Sequence, residues 1–408
     1  MKKSLLKNYA KLIAVVGGNI RPGQDVEIFA EPDQPAFITY LCEECYKAGA
    51  RSVRVEWSSQ AVDRLAARFE SQKTLSQVPS WEEELLKERT EKLPVRIKIL
   101  SADPDGMKGV DRDKLTKAQA VRSLITKPYQ DRMTNRYQWC VAAVPSVGWA
   151  KKIFPDERSN AAVEKLWQLI LETSRAAGKD PLTDWMWHNR ALKERCEKLN
   201  AMGLASLEYK SSNGTDFSIA LIPRAEFIAG KKVTADGHYF NPNIPTEEVF
   251  TTPLKNSAQG LVRATRPLSY GGELIEDFWI RFENGKAVEW GAEENEKLLG
   301  DIINMDEGSC YLGECALVPC DSPINKSGIL FYNTLFDENA ACHLALGRGY
   351  TNTVKNFASY GREQFAAMGI NDSSVHVDFM VGTRDLSVTG VTKEGARLPI
   401  FERGNWAF

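Results

Sequence analysis

The chain has 408 residues, 43% of them hydrophobic and 26% charged; this is a soluble globular balance with more length than one core usually organises, so two domains are expected. Lys plus Arg (52) nearly cancels Asp plus Glu (54), so no strong net field draws the protein to nucleic acid or to an anionic membrane, and neither is expected as a partner. The eight cysteines read as free thiols of a reducing, cytoplasmic compartment.

The N-terminal stretch MKKSLLKNYAKLIAVVGGNI begins with Lys2 and Lys3, but Lys7 and Lys11 interrupt its apolar run. Only Leu12 to Val16 remain before two glycines, too short for a signal core or a membrane span. Leu5, Leu6, Tyr9, Leu12 and Ile13 recur instead at helical spacing. Gly17-Gly18 therefore follow a helix rather than a first strand, and no GxGxxG supports a nucleotide site. From 25 to 145, DVEIFA, SVRVEW, VRIKIL and YQWCVAAVP read as strands. Helical stretches alternate with them, Ala36 to Ala48 closed by Gly49 and Trp81 to Lys92 among them. Cys42 and Cys45 fall mid-helix, with no Pro or Gly to shape a redox loop and no second CxxC. Residues 160–200 are predicted helical.

After about residue 203 the texture changes. LEYKS, TDFSIALI, ELIEDFWIRFENGKAVEW and VHVDFMV are strand-like, and Asn213-Gly214 and Asn284-Gly285 mark hairpin turns. One helix is expected near 337–351. Cys310, Cys315 and Cys320 are evenly spaced, yet no His stands at structural-zinc distance, so buried thiols are expected. The fold class is α/β and α+β: an N-terminal βαβ-type parallel-sheet domain over 1–200, then a mainly antiparallel α+β domain over 201–408.

With four histidines in the chain, their surroundings are informative. His188, in WMWHNRAL, reads as a packed, hydrogen-bonded helix residue. His376 and Asp378 alternate in SSVHVDFMVG and share one strand face, with Val375, Val377 and Phe379 on the other. That spacing suits a shared metal or two adjacent ones, or simply a polar edge facing solvent. His343 lies in FDENAACHLALGRGY, where Asp337 would cap a helix that places Tyr350 two turns on; a core histidine beside an unrelated aromatic is the alternative. NPNIPTEEVFTTP supplies Glu247 and Glu248 in a segment stiffened by three prolines, and the alternative there is a charged turn. Glu314 sits among apolar residues in GSCYLGECALVPC, where its charge needs a metal or an arginine such as Arg263 or Arg266. Taken together, these carboxylates and imidazoles form an O/N donor set suited to zinc, manganese or cobalt, and its size favours two metals.

NPNIPTEEVFTTP, RATRPL (263–268), EGSCYLGECALVP, SGILFYNTLFDENAACHLALGRGY and HVDFMVG, in that order, resemble the aminopeptidase T / aminopeptidase S / aminopeptidase II family, the thermophilic metalloprotease family of dinuclear metallopeptidases. The resemblance continues to RGNW near the C-terminus and more loosely through the N-terminal half. It implies a metal-dependent aminopeptidase that removes N-terminal residues from peptides with a water activated by two divalent ions. It implies Glu248, Glu314, His343, His376 and Asp378 as metal ligands and Tyr350 as the group that contacts the metal or polarises the carbonyl. Of the two adjacent glutamates, Glu248 is the preferred ligand and Glu247 the proton shuttle, with Glu338 a candidate to hold the substrate amine. A homodimer is likewise implied. The competing readings are a dinuclear hydrolase of another amide or ester bond, and a non-catalytic metal-binding protein.

Overall fold

The computed structural model describes residues 1–408, which divide into two compact units. The first comprises Met1–Met186 and Lys231–Pro245, the second Trp187–Gly230 and Thr246–Phe408.

In the first unit, helix α1 (Lys3–Leu12) precedes strand β1 (Asp25–Ala30), helix α2 (Pro35–Lys47), strand β2 (Ser52–Trp57) and helix α3 (Gln60–Phe69). Strands β3 (Val95–Leu100) and β4 (Trp139–Ala143) follow, each after a further helix. All four strands are parallel, in the order β2-β1-β3-β4. Parallel neighbours need helical crossovers, so the alternation seen in sequence becomes a sheet packed under helices. Val26, Ile28, Val95 and Ile97 are buried in its centre. Tyr9 of α1 packs against Phe37 and Trp167, at ring distances of 5.5 and 6.5 Å. Its hydroxyl donates to Ala143 O (3.1 Å), so burial of this phenol leaves no polar atom stranded. Cys42 and Cys45 lie within α2, and all eight cysteines are free thiols.

The second unit holds an eight-stranded and a five-stranded sheet. Asn284 and Gly285 both take positive φ (50° and 85°) between the paired strands Trp279–Glu283 and Lys286–Gly291, as a two-residue hairpin requires. The five-stranded sheet is antiparallel and runs from His376–Met380 through His343–Gly347, Leu312–Leu317 and Val249–Thr251 to Ile228–Ala229.

One expected element is absent. Instead of a helix over 337–351, a single helical turn (Thr334–Asp337) and a 3-10 turn (Glu338–Ala340) lead into the strand His343–Gly347. Asn333 caps that turn, accepting from Leu335 N. Asp337 turns back to accept from Phe331 N and Asn333 N (2.8 and 2.9 Å) rather than opening a longer helix. HLALG is flanked on both sides by strands, and pairing with both of them overrides a weak local helix preference.

One face of this sheet carries Cys315, Leu317, Leu344, Leu346, Val377 and Phe379, all within the unit's hydrophobic core. The alternation predicted for Val377 and Phe379 is observed. The opposite face carries Glu314, Ala316, His343, Ala345, His376 and Asp378, as their cross-strand partnerships show.

Candidate metal centre

Glu314 reaches the polar face through an irregularity. Leu312 pairs with Leu346 and lies in the core, whereas Glu314 pairs with Ala345 after a register shift between them. The extra residue is Gly313, whose missing Cβ would stand 2.3 Å from Arg348 O. In a regular strand Leu312 and Glu314 would share a face; the bulge turns the carboxylate to the other side. Ala345 lies between Glu314 and Asp378 on its two neighbouring strands. Its small side chain leaves the space between those carboxylates open.

Three strands, and the residue just ahead of a fourth, therefore contribute to one cluster. Glu248, Glu314 and His343 place donor atoms within 4.8 Å of one another, and so do Glu314, His376 and Asp378. Glu314 belongs to both groups. His343 Nε2 is 3.3 Å from Glu248 Oε2. His376 Nε2 lies 3.0 Å from Glu314 Oε2, 3.2 Å from Asp378 Oδ1 and 3.1 Å from Tyr350 Oη.

The tautomers decide what this geometry demands. His343 Nδ1 faces Ala341 O at 3.2 Å and His376 Nδ1 faces Arg348 O at 2.8 Å, so both Nδ1 atoms carry the proton and donate. Each Nε2 then faces carboxylate oxygens in one of two ways: with a cation between them the ring is neutral and offers it the Nε2 lone pair, and without one the ring must carry a second proton. Asp378 Oδ1 is also buried without a hydrogen bond. Burial opposes charge on His343, but Glu248, Asp378 and Glu314 outweigh it and push its pKa up to about 10. His376 is pushed up to about 11 in the same way, chiefly by Asp378 and Glu314. Burial holds Glu314 above the usual carboxylate range, with Glu248 adding to the effect. Burial acts likewise on Asp378, but His376 outweighs it and lowers that pKa. A divalent ion satisfies every one of these groups at once, so the donor set fits a metal.

Tyr350 arrives from the loop after the His343 strand rather than from a helix face. Thr252 fixes it, its hydroxyl accepting from Tyr350 N (2.9 Å) and donating to Tyr350 O (3.0 Å). Its ring packs edge-on to Phe250 and lies 4.7 Å from the His376 ring. Glu247 is buried, with its backbone N–H donating to Asn339 Oδ1 (2.7 Å), and its carboxylate belongs to neither donor group. Glu338 is more closely engaged: burial, then the charges of Glu248 and Asp378, raise it well above the usual carboxylate range. Asn339 Nδ2 sits 3.3 Å from Glu338 Oε1, so one buried amide links both glutamates. Neither Arg263 nor Arg266 pairs with Glu314; its partner is His376. His188 is packed as expected, with Nε2 donating to Thr246 O (2.7 Å) just ahead of the two glutamates. Thr252 and Asn339 were not legible in sequence, since a hydroxyl or amide that orients a neighbour has no characteristic spacing.

The profile of the thermophilic metalloprotease family (M29) matches residues 2–406. The chain belongs to that family. Aminopeptidase AmpS of Bacillus subtilis is 40% identical over 405 residues, covering 99% of this chain and 98% of the relative. Aminopeptidase T of Thermus thermophilus is 37% identical over 405 residues, with 99% and 98% covered. The solved structure of wild-type AmpT from Thermus thermophilus superimposes with a TM-score of 0.92 at 36% identity, over 100% of both chains. The M29 chain thus shares its whole fold, and not a single motif, with a metallopeptidase family. In this M29 protein no helix is long and apolar enough to cross a membrane.

Proposed function

We propose that this M29 member is an aminopeptidase that hydrolyses N-terminal residues from peptides and holds two divalent cations. Glu248, Glu314, His343, His376 and Asp378 are the ligands, with Glu314 shared. The observation that carries this reading is the pair of donor groups that overlap at Glu314, because one ion rarely needs five side chains. Zinc, cobalt and manganese all suit such oxygen and imidazole donors.

When bound, the cations supply Lewis acidity that acidifies a water and polarises a carbonyl. The chain supplies the rest. Tyr350 Oη, held beside His376, donates a hydrogen bond to the oxygen on which charge develops. Glu338, within the field of the ligand carboxylates, takes the water's proton and returns it to the leaving amine. Glu247, one residue from Glu248, is the second candidate for that transfer. Whichever carboxylate is left out of the proton transfer attracts the substrate's ammonium, which restricts cleavage to the N-terminal residue.

Eight free thiols support a cytoplasmic location. Val62, Leu65 and Phe69 on one face of α3 are 61%, 54% and 74% exposed, which supports a homodimer that covers them. The test compares leucine amide, N-acetyl-leucine amide and a phosphate monoester, before and after chelation. Turnover of leucine amide alone, lost on chelation and restored by a divalent ion, is expected. Equal turnover of the blocked amide, or turnover of the ester alone, would overturn the reading.

A further inference from the structure

The second unit contains another cavity, of about 370 Å³, whose walls include Thr265, Arg266, Asn325, Gly382 and Arg384. Its charges are unusual. Arg266 is half-buried and donates to two neutral acceptors, Ile329 O (3.1 Å) and Asn325 Oδ1 (2.7 Å). Burial lowers its pKa, with Asp337 opposing. Asp337 acts on it through space only, because both its oxygens are taken up by backbone N–H groups; burial raises its own pKa to about 6. Arg384 is exposed, and its neighbour Asp385 is occupied by Ser211, Ser212 and Thr383. Thr265 Oγ1 is buried with no hydrogen-bond partner. Two guanidinium groups thus belong to one cavity whose walls include no carboxylate.

The walls are continuous with the elements that carry the candidate metal centre. Thr265 N donates to Met380 O, at the end of the strand bearing His376 and Asp378. A Cβ on Gly382 would lie 2.7 Å from Cys342 N, next to His343. A half-buried guanidinium whose hydrogen bonds go to neutral acceptors gains from an anion that joins it, and its planar fork matches a carboxylate.

We propose that this cavity is a carboxylate-binding subsite, filled by the C-terminal carboxylate of a short peptide substrate. The proposal rests on the aminopeptidase reading for the identity of the ligand. It gives the enzyme a second anchor besides the substrate amine and favours short free peptides over C-terminally amidated ones.

The test is calorimetric titration of the metal-loaded enzyme with N-acetyl-leucyl-glycine and with its C-terminal amide. Neither probe has a free amine, so neither is an aminopeptidase substrate. The acid is expected to bind on the order of tenfold more tightly than the amide, as one charge-assisted contact implies. R384Q should remove most of that difference and R384K should keep most of it. Arg384 is exposed, so both variants fold. Equal binding of acid and amide, binding of neither, or a difference that survives R384Q overturns the proposal; the last result would point to the carboxylate ligating the metals directly. Turnover of leucine amide by the same preparation reports separately on the aminopeptidase reading.

Discussion

The two units bury carboxylates beneath their sheets and treat the charge in opposite ways. In the first, Glu27 of β1 is 7% exposed and is met by Arg89 at 2.8 Å, by Arg54, and by Arg96 at 3.9 Å. Its charge is neutralised inside the chain, and the network has structure as its product. In the second, Glu248, Glu314 and Asp378 converge with no Lys or Arg among their ion-pair partners, which are His343 and His376 alone. Each of those imidazoles has committed its Nδ1 proton to a backbone carbonyl. A balanced cluster is finished as folded, whereas an unbalanced one specifies what it must bind. The arginine-lined cavity around Arg266 is the same principle with the sign reversed.

Substitutions break this comparison in different places. E314Q removes the shared ligand and should lower kcat/KM by about 10³-fold or more, together with bound metal; steady-state assays check this. R89M removes the buried partner of Glu27 and leaves the more exposed Arg54, and should cost about 1.5–3 kcal/mol of stability in urea unfolding while leaving the kcat of the folded fraction unchanged. Y350F removes only the hydroxyl beside His376 and should lower kcat by about 10²-fold with metal content intact. T252V frees the Tyr350 backbone and should cost about tenfold in kcat.

The smallest effect concerns the segment that leads into the His376 strand. Burial opposes the charge on Asp306, but Ser374, Ser373 and Gly308 N–H outweigh it and hold the pKa at about 2. Because the folded value lies below an unfolded one of about 4, the stabilisation is complete above that pH and is lost as pH falls toward 2. D306N should therefore flatten the stability–pH curve between about 4 and 2, as acid unfolding monitored by circular dichroism would show.

Much of this was legible in sequence wherever one local rule set the outcome. DVEIFA, SVRVEW and VRIKIL are strands with the residues expected, and His376 and Asp378 share a face because strand alternation leaves no choice. The helix expected near 337–351 failed because HLALG takes its conformation from two neighbouring strands that are distant in sequence. Tyr350 still reaches the site, by way of Thr252 rather than helical spacing. Glu314 was singled out for its apolar surroundings, yet its orientation depends on a bulge at Gly313 that appears only once the register against Leu346 and Ala345 is known. Glu338 is raised by burial and then by the field of Glu248 and Asp378, and no periodicity reports either.

The central claim is that the second unit's carboxylates are left unbalanced for a pair of cations held together through Glu314. Metal content per chain, measured by mass spectrometry on wild type and E314Q after equilibration with zinc, tests it most directly. The account predicts two ions in wild type and at most one in E314Q. Two ions retained in E314Q, or a wild type that keeps full peptidase activity with none, would contradict it.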